Sequence, residues 1–294
     1  MDGDPVMNRR RFLCISAAMI AAPCCAGAAV WSGTGLGAAL SLRLEGTDPL
    51  RARDTFRKVE AEIFRIESTA SLFRDSALTR LNRDGRLAYP PEGLLELLGI
   101  SAQVHAATKG VFDPTIQPLW QAVATGAGLA EARAAIGFER VSFSPTEIRL
   151  DRGQALTLNG IAQGWAADRI ARLLRADGYG HALIDMGEIV ALGHRADGCR
   201  WSAAIQAPDG TLLGEAALRD RALATSAPSG TLIGRGVPHI LGPQGQPPLW
   251  TTVSVSASSA VVADALSTAF CLMEGSAIEA TLAGFPGARL EIIY

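Results

Sequence analysis

The sequence predicts an α+β domain. Three observations carry that reading. Apolar residues recur at helical spacing in several long stretches and at alternate positions in others. The two kinds of stretch do not alternate strictly, as they would around a parallel sheet. No internal repeat or low-complexity segment interrupts them. With 294 residues, 48% of them hydrophobic, the chain can bury a substantial core in one domain of mixed sheets and flanking helices.

Taken in order, residues 36–44 (LGAALSLRL) close on an alternation that predicts a strand. Residues 49–68 place Phe56, Val59, Ile63 and Ile66 at helical spacing with charges between them, an amphipathic helix. SLFRDSALTRLN reads as a loop turning into a short helix, and a further helix covers 94–109. In GVFDPTIQPLW the prolines Pro114 and Pro118 predict an irregular segment. A short strand over LTL (156–158) leads into a glycine-bounded turn, NGIAQG; a helix begins near Trp165 and ends at Gly178. HALIDMGEIVALG is a strand pair broken at Gly187, and WSAAIQAP and TLLGEAALRD are two further strands. ALATSAPSG and HILGPQGQPP read as loops, and WTTVSVSA as a strand. The run from Ser258 to Glu274 reads as a helix opened by Ser258 and Ser259 and stopped at Gly275.

A formal charge of -2 and a pI near 6.1 argue against a general nucleic-acid or anionic-membrane surface. The amino terminus, MNRRRFLCISAAMIAAPCCAGAA, has the basic start, modest apolar stretch and small-residue end of a signal peptide. We assign residues 1–30 to this leader and 31–294 to the mature domain. Asn8 to Leu13 resembles the twin-arginine export motif, which implies a periplasmic protein, membrane-anchored if the leader is uncleaved. Ile15 to Ala29 is short for the ~20 residues of a membrane span, so no integral span is expected after leader removal. Cys14, Cys24 and Cys25 fall in the leader; Cys199 and Cys271 alone make neither a disulfide framework nor a metal-ligand spacing. His105, His181 and His194 have no partner at ligand spacing.

Two places suggest chemistry. Asp264 and Thr268 stand four apart on the apolar helix, so they share a face. A buried carboxylate needs water, an arginine or a cation: the plain reading pairs it with an arginine, with Thr268 bonding back to the Asp264 carbonyl, and the sharper one is a hard cation held by both oxygens. The turn between Gly160 and Gly164 lets backbone approach a ligand closely, and the helix behind it aims free N–H groups at a phosphate; such turns are also common without a ligand. The carbonyl of Ala162 could serve as an oxygen ligand there.

Six segments in order, GVFDPTIQPLW, LTLNGIAQGWAADR, IDMGEIVALG, ALATSAPSG, HILGP and VSVSASSAVVADALSTAF, resemble the signatures of the ApbE family, the FAD:protein FMN transferases, over essentially the whole chain from Trp31. The resemblance implies a magnesium-dependent enzyme that cuts the FAD pyrophosphate. It joins FMN by a phosphoester to a Thr or Ser of an acceptor flavoprotein and releases AMP. By the same resemblance, Asp264, Thr268 and the carbonyl of Ala162 hold Mg2+, and His239 assists proton transfer. Phe73, Asp113, Gly160, Ile161, Ala162, Gln163, Glu188, Thr225, Ser226 and His239 are placed against FAD.

The chain departs from the family pattern at Asn159 (usually Gly), Gln163 (Lys), Met186 (Gly) and Gly242 (Asp or Asn). Gln163 offers an amide where a positive charge is usual. These changes keep two alternatives open: a magnesium-dependent FAD pyrophosphatase with water as nucleophile, and a non-catalytic flavin-binding accessory protein. With WSGTGLGA and ATSAPSG, the spellings look similar to the branch associated with nitrous oxide reductase maturation, whose acceptor would be a membrane flavoprotein exposed to the periplasm.

Overall fold

The computed structural model describes residues 27–294; the predicted leader lies outside them except for residues 27–30. Strands β1 (Ala29–Gly35) and β2 (Ala38–Leu44) form a hairpin turning at Leu36 and Gly37, both at positive φ. The strand predicted over 36–44 therefore starts two residues later. Its partner was concealed by the small residues of AVWSGTG. Asp48 caps α1 (Pro49–Ala70) by accepting from the Leu50 and Arg51 amides. A Ser76/Thr79 capping box opens α2 (Ala77–Asp84), which Gly85 ends in the left-handed conformation. After β3 (Arg86–Ala88) and α3 (Glu92–Ala107), the prolines act against the prediction. Pro114 opens a single 3-10 turn and Pro118 sits in the first turn of α4 (Gln117–Thr125). At a helix start a missing N–H costs nothing, so these prolines initiate structure.

The chain continues through α5 (Leu129–Ala134), β4 (Ser142–Phe143), β5 (Glu147–Arg149) and α6 (Ala162–Ala176). The residues LTL before α6 form no strand. Then come β6 (Ala182–Asp185), β7 (Ile189–Leu192), β8 (Trp201–Gln206), β9 (Leu212–Leu218), β10 (Arg221–Ser226), β11 (Leu232–Ile233) and β12 (Val237–Pro238). The chain closes with β13 (Val253–Ala257), α7 (Ala260–Phe270), α8 (Gly275–Leu282) and β14 (Arg289–Ile293). Gly275 thus opens a helix instead of ending one. ALATS, expected as a loop, is strand β10, in the middle of the sheet. Its small side chains suit a strand packed under a helix: Ala222 and Ala224 belong to the same core as α7.

Seven strands form one sheet in the order β1-β2-β6-β7-β10-β13-β14, each antiparallel to its neighbour. The α+β expectation holds. On one face Leu42, Leu44, Ile184, Val190, Ala224 and Val255 join the inward faces of α1, α3, α6 and α7 in the main core. On the other, Leu183, Ile189, Ala191 and Leu223 meet Trp201, Ala203 and Ile205 of the β8–β9 hairpin. Covered on both faces, β6 and β7 are buried at every residue. Each fully buried Leu or Ile contributes about 1.5–3 kcal/mol, against about 0–1 for a surface ion pair, so this layer dominates stability. Among the described residues no helix is long and apolar enough to cross a membrane.

Two features position the site. Helices α6 and α7 run antiparallel and meet in a register of one turn per step. A Cβ on Gly160 would lie 2.9 Å from Thr268 Cγ2. One on Gly164 would lie 2.3 Å from the Ala260 carbonyl oxygen. Asp168 accepts from the Ala260 and Val261 amides at 2.9 and 3.0 Å and from Ser259 Oγ at 2.7 Å. The cap of α7, expected from its own serines, is thus supplied by α6. The second feature is a small lobe in which Leu119, Ala122 and Val123 of α4, Ala132 of α5 and Leu241 share an apolar cluster. The β11–β12 hairpin rests on this lobe with Gly234 so close to the Val123 carbonyl that a Cβ would come within 2.3 Å.

Candidate active site

One cleft receives residues from most of the predicted segments: Asp113, Asn159, Gly160, Gln163, Gly187, Glu188, Thr225, Ser226, His239, Asp264 and Thr268 all line it. At its acidic end Asp264, 3% exposed, accepts from the Gly164 amide at 2.9 Å through Oδ2. Burial pushes its carboxyl up to about 7, with the Gly164 bond opposing. Glu188 is pushed well above the ordinary range by burial, then by the Asp264 charge, and further by Asp185, while the Thr225 amide at 3.1 Å opposes. Burial also raises Asp185 to about 6 against a 3.0 Å bond from the Gly187 amide. Among the described residues none of these three acids forms an ion pair with Arg, Lys or His, so the arginine expected as one partner for Asp264 is absent.

The hydroxyls beside the acids form a chain. Ser267 Oγ donates to the Asp264 carbonyl at 3.0 Å and lies 2.8 Å from Ser226 Oγ, which is 3.3 Å from Thr268 Oγ1. The back-bond expected of Thr268 is therefore made by Ser267, which leaves Thr268 facing the cleft beside Asp264. Buried Asp264 and Glu188 and the Thr268 hydroxyl line the cleft and are oxygen donors of the kind a hard divalent cation takes, whereas Asp185 does not line it. Among the described residues, the side chains whose ligand atoms already converge within 4.8 Å are His105, Asp113 and Glu139.

Helix α6 begins at Ala162, three residues before the predicted start, so the glycine turn is itself the first helical turn. One of its free amides, Gly164, is already taken by Asp264, whose charge suits the positive end of the helix. Ala162 is buried as the first helical residue, and Ile161 is fully buried in the core rather than on the cleft wall. Gln163 lines the cleft and lies over Gly187, where φ is 96° and a Cβ would come within 2.4 Å of its Nε2.

His239 follows β12. Its Nδ1 lies 2.8 Å from the Pro228 carbonyl and 3.2 Å from that of Thr231. Carbonyls only accept, so Nδ1 carries the proton and Nε2 of the neutral ring keeps its lone pair. Burial holds the imidazole below its ordinary 6.5, with those two carbonyls opposing. The ring is neutral near pH 7 and poised to accept a proton.

Asp113 lines the cleft but also braces its turn, accepting from the Thr115 amide and hydroxyl and from the Phe138 amide. His105, without a partner in sequence, donates through Nδ1 to the Phe112 carbonyl and so anchors the same turn. Phe73 is 53% exposed on the loop between α1 and α2 and does not line the cleft. Sequence reasoning passed over Asp185, Ser267 and Trp120. The DMGE spelling held a signal for Asp185, two acids astride a glycine turn. Ser267, next to Thr268, had none.

A family model described as "ApbE family" matches residues 36–290. A protein named FAD:protein FMN transferase from Klebsiella pneumoniae is 28% identical, over 88% of this chain and 82% of its own length. One of the same name from Treponema pallidum is 30% identical, over 75% and 71%. The apo crystal structure of Pseudomonas stutzeri flavinyl transferase ApbE superposes with a TM-score of 0.77 at 26% identity, covering 90% of each chain. With the match spanning most of its length and the fold shared, the chain belongs to the ApbE family.

Proposed function

We propose that the protein is an FAD:protein FMN transferase that joins FMN to a Thr or Ser hydroxyl of an acceptor flavoprotein. The single observation that carries this reading is the pairing, in one cleft, of a histidine with its Nε2 lone pair free and a set of largely buried carboxyl and hydroxyl oxygens. The names of the relatives support it. Asp264 and Thr268, with the Ala162 carbonyl, would hold Mg2+. When bound there it neutralises the pyrophosphate and stabilises the leaving phosphate charge.

The chain's own residues do the rest. The acceptor hydroxyl passes its proton to His239 Nε2 as its oxygen attacks the FMN phosphorus; the bond from that phosphorus to the bridging oxygen breaks, and AMP leaves with that oxygen. The Nδ1–H bonds to Pro228 and Thr231 stabilise the imidazolium that forms. Glu188, fixed by the Thr225 amide, and Gln163, over Gly187, close the wall beside the dinucleotide. The arginine-rich leader supports a periplasmic setting and an acceptor exposed there.

The test is incubation with FAD, Mg2+ and a Thr-bearing flavoprotein acceptor, with AMP and acceptor mass followed together. Transfer gives AMP and an acceptor heavier by one FMN less a water, the difference between FAD and AMP. AMP with free FMN would instead make the protein a pyrophosphatase, and neither product would make it a binder.

A further inference from the structure

The cleft has a second character away from its acids. Ile116, Trp120 and Leu241, all on the small lobe, make an apolar end that the proposed chemistry leaves without a role. Trp120 is distinctive among the five tryptophans. The indole N–H groups of Trp31, Trp165, Trp201 and Trp250 donate to Glu60, Glu96, the Leu192 carbonyl and the Met273 carbonyl. Trp120 is partly exposed on the cleft wall, and among the described residues it has neither a hydrogen-bond partner nor a ring contact. A large amphipathic ring in that state is a surface prepared for a planar ligand.

We propose that Trp120 is the platform on which the isoalloxazine ring of the flavin stacks. This rests on the transferase reading, which supplies the dinucleotide. In-line displacement decides between its two ring systems. The nucleophile enters beside His239, and AMP leaves from the opposite side of the phosphorus, so adenine lies away from the histidine. Trp120 is on the histidine's side. Helix α4 bears it, and the β11–β12 hairpin that precedes His239 is locked to α4 through Gly234 and the Val123 carbonyl. Ring platform and proton acceptor therefore sit on one rigid piece, and stacking sets the distance from FMN phosphorus to His239. Near-attack placement is worth large factors in rate, so this residue positions as well as binds.

The photochemistry of flavin provides a direct test. An indole in contact with photoexcited flavin gives it an electron and quenches its fluorescence; a phenyl ring is too hard to oxidise. No tyrosine and no other tryptophan lines the cleft among the described residues. FMN alone is the probe, titrated into the whole protein. Bound FMN is expected to be dark in the wild type. Trp120→Phe should bind nearly as tightly yet leave bound FMN bright. Trp120→Leu should weaken FMN binding about 5- to 150-fold, the range of aromatic stacking, without changing AMP affinity. Bound FMN that stays quenched in Trp120→Phe, or wild-type affinity in Trp120→Leu, overturns the platform. AMP affinity falling in place of FMN affinity overturns it in favour of adenine. A wild type that binds neither FAD nor FMN sinks the transferase reading itself, whereas FMN bound brightly sinks only the platform.

Discussion

Replacing Asp264 by Asn separates the charge of this residue from its shape. The amide oxygen can still accept from the Gly164 amide, so the helix pair keeps its contact, but the ionisable group is gone. In metal-free protein the folded state raises the Asp264 carboxyl from an ordinary 3.8 to about 7. A raised acid pKa means that the folded state binds the extra proton. Wild-type stability is therefore highest below the unfolded value and falls as pH rises through the folded one. The accumulated penalty approaches about 4 kcal/mol above neutrality, of which about 3 kcal/mol develops between about pH 5 and about pH 8. The variant lacks that loss. In EDTA, Asp264→Asn should gain on the wild type across this window by roughly 5–10 °C in melting temperature. Adding Mg2+ at about pH 8 should restore the wild type and leave the variant unmoved, while AMP release from FAD is lost in the variant. Scanning calorimetry across the window, with and without Mg2+, reads all of this. Parallel pH profiles for the two metal-free proteins would refute the claim that this buried charge is what the site spends its stability on.

Three other substitutions probe different parts. His239→Asn should lower kcat by about 10²–10⁴ with little change in FAD affinity. In the wild type, the acidic limb of the pH–rate profile should fall below the ordinary histidine value, since burial lowers this imidazole; a limb above 6.5 would contradict the assignment. Gly164→Ala drives a methyl into the Ala260 carbonyl, a backbone contact that cannot swing aside, and should cost about 1–3 kcal/mol in urea unfolding. Asp168→Ala removes both amide partners at the start of α7 and should cost about 1–2 kcal/mol by the same measurement, although no residue of α7 is changed.

The legible part of the site was whatever lies within one helical turn or one short spelling. Asp264 and Thr268 could be paired because four residues return to the same helix face. Their acid neighbours at 185 and 188 could not be paired with them, since only the sheet sets the β6–β7 turn beside β10, the strand that lies under α7. Fold errors had local causes. Alanine-rich β10 looks like a loop until a helix lies on it, and Pro114 and Pro118 look like breakers until they fall at helix starts, where an absent donor is harmless. The cap of α7 misled for the same reason: Ser259 is the right residue in the right place, but Asp168 outcompetes it from another helix. Gly242, a departure from the family spelling, has a reason visible only in three dimensions, because a Cβ there would come within 2.4 Å of Gln246.

The antiparallel helix pair closes a loop of mutual obligation. Asp168 on α6 finishes the start of α7, and Asp264 on α7 finishes the start of α6, through partners 92 and 100 residues apart in sequence. Neither end can fray without stranding the other's amides, so the two must open as one cooperative unit or stay shut. An oxygen site built on that unit inherits its stiffness.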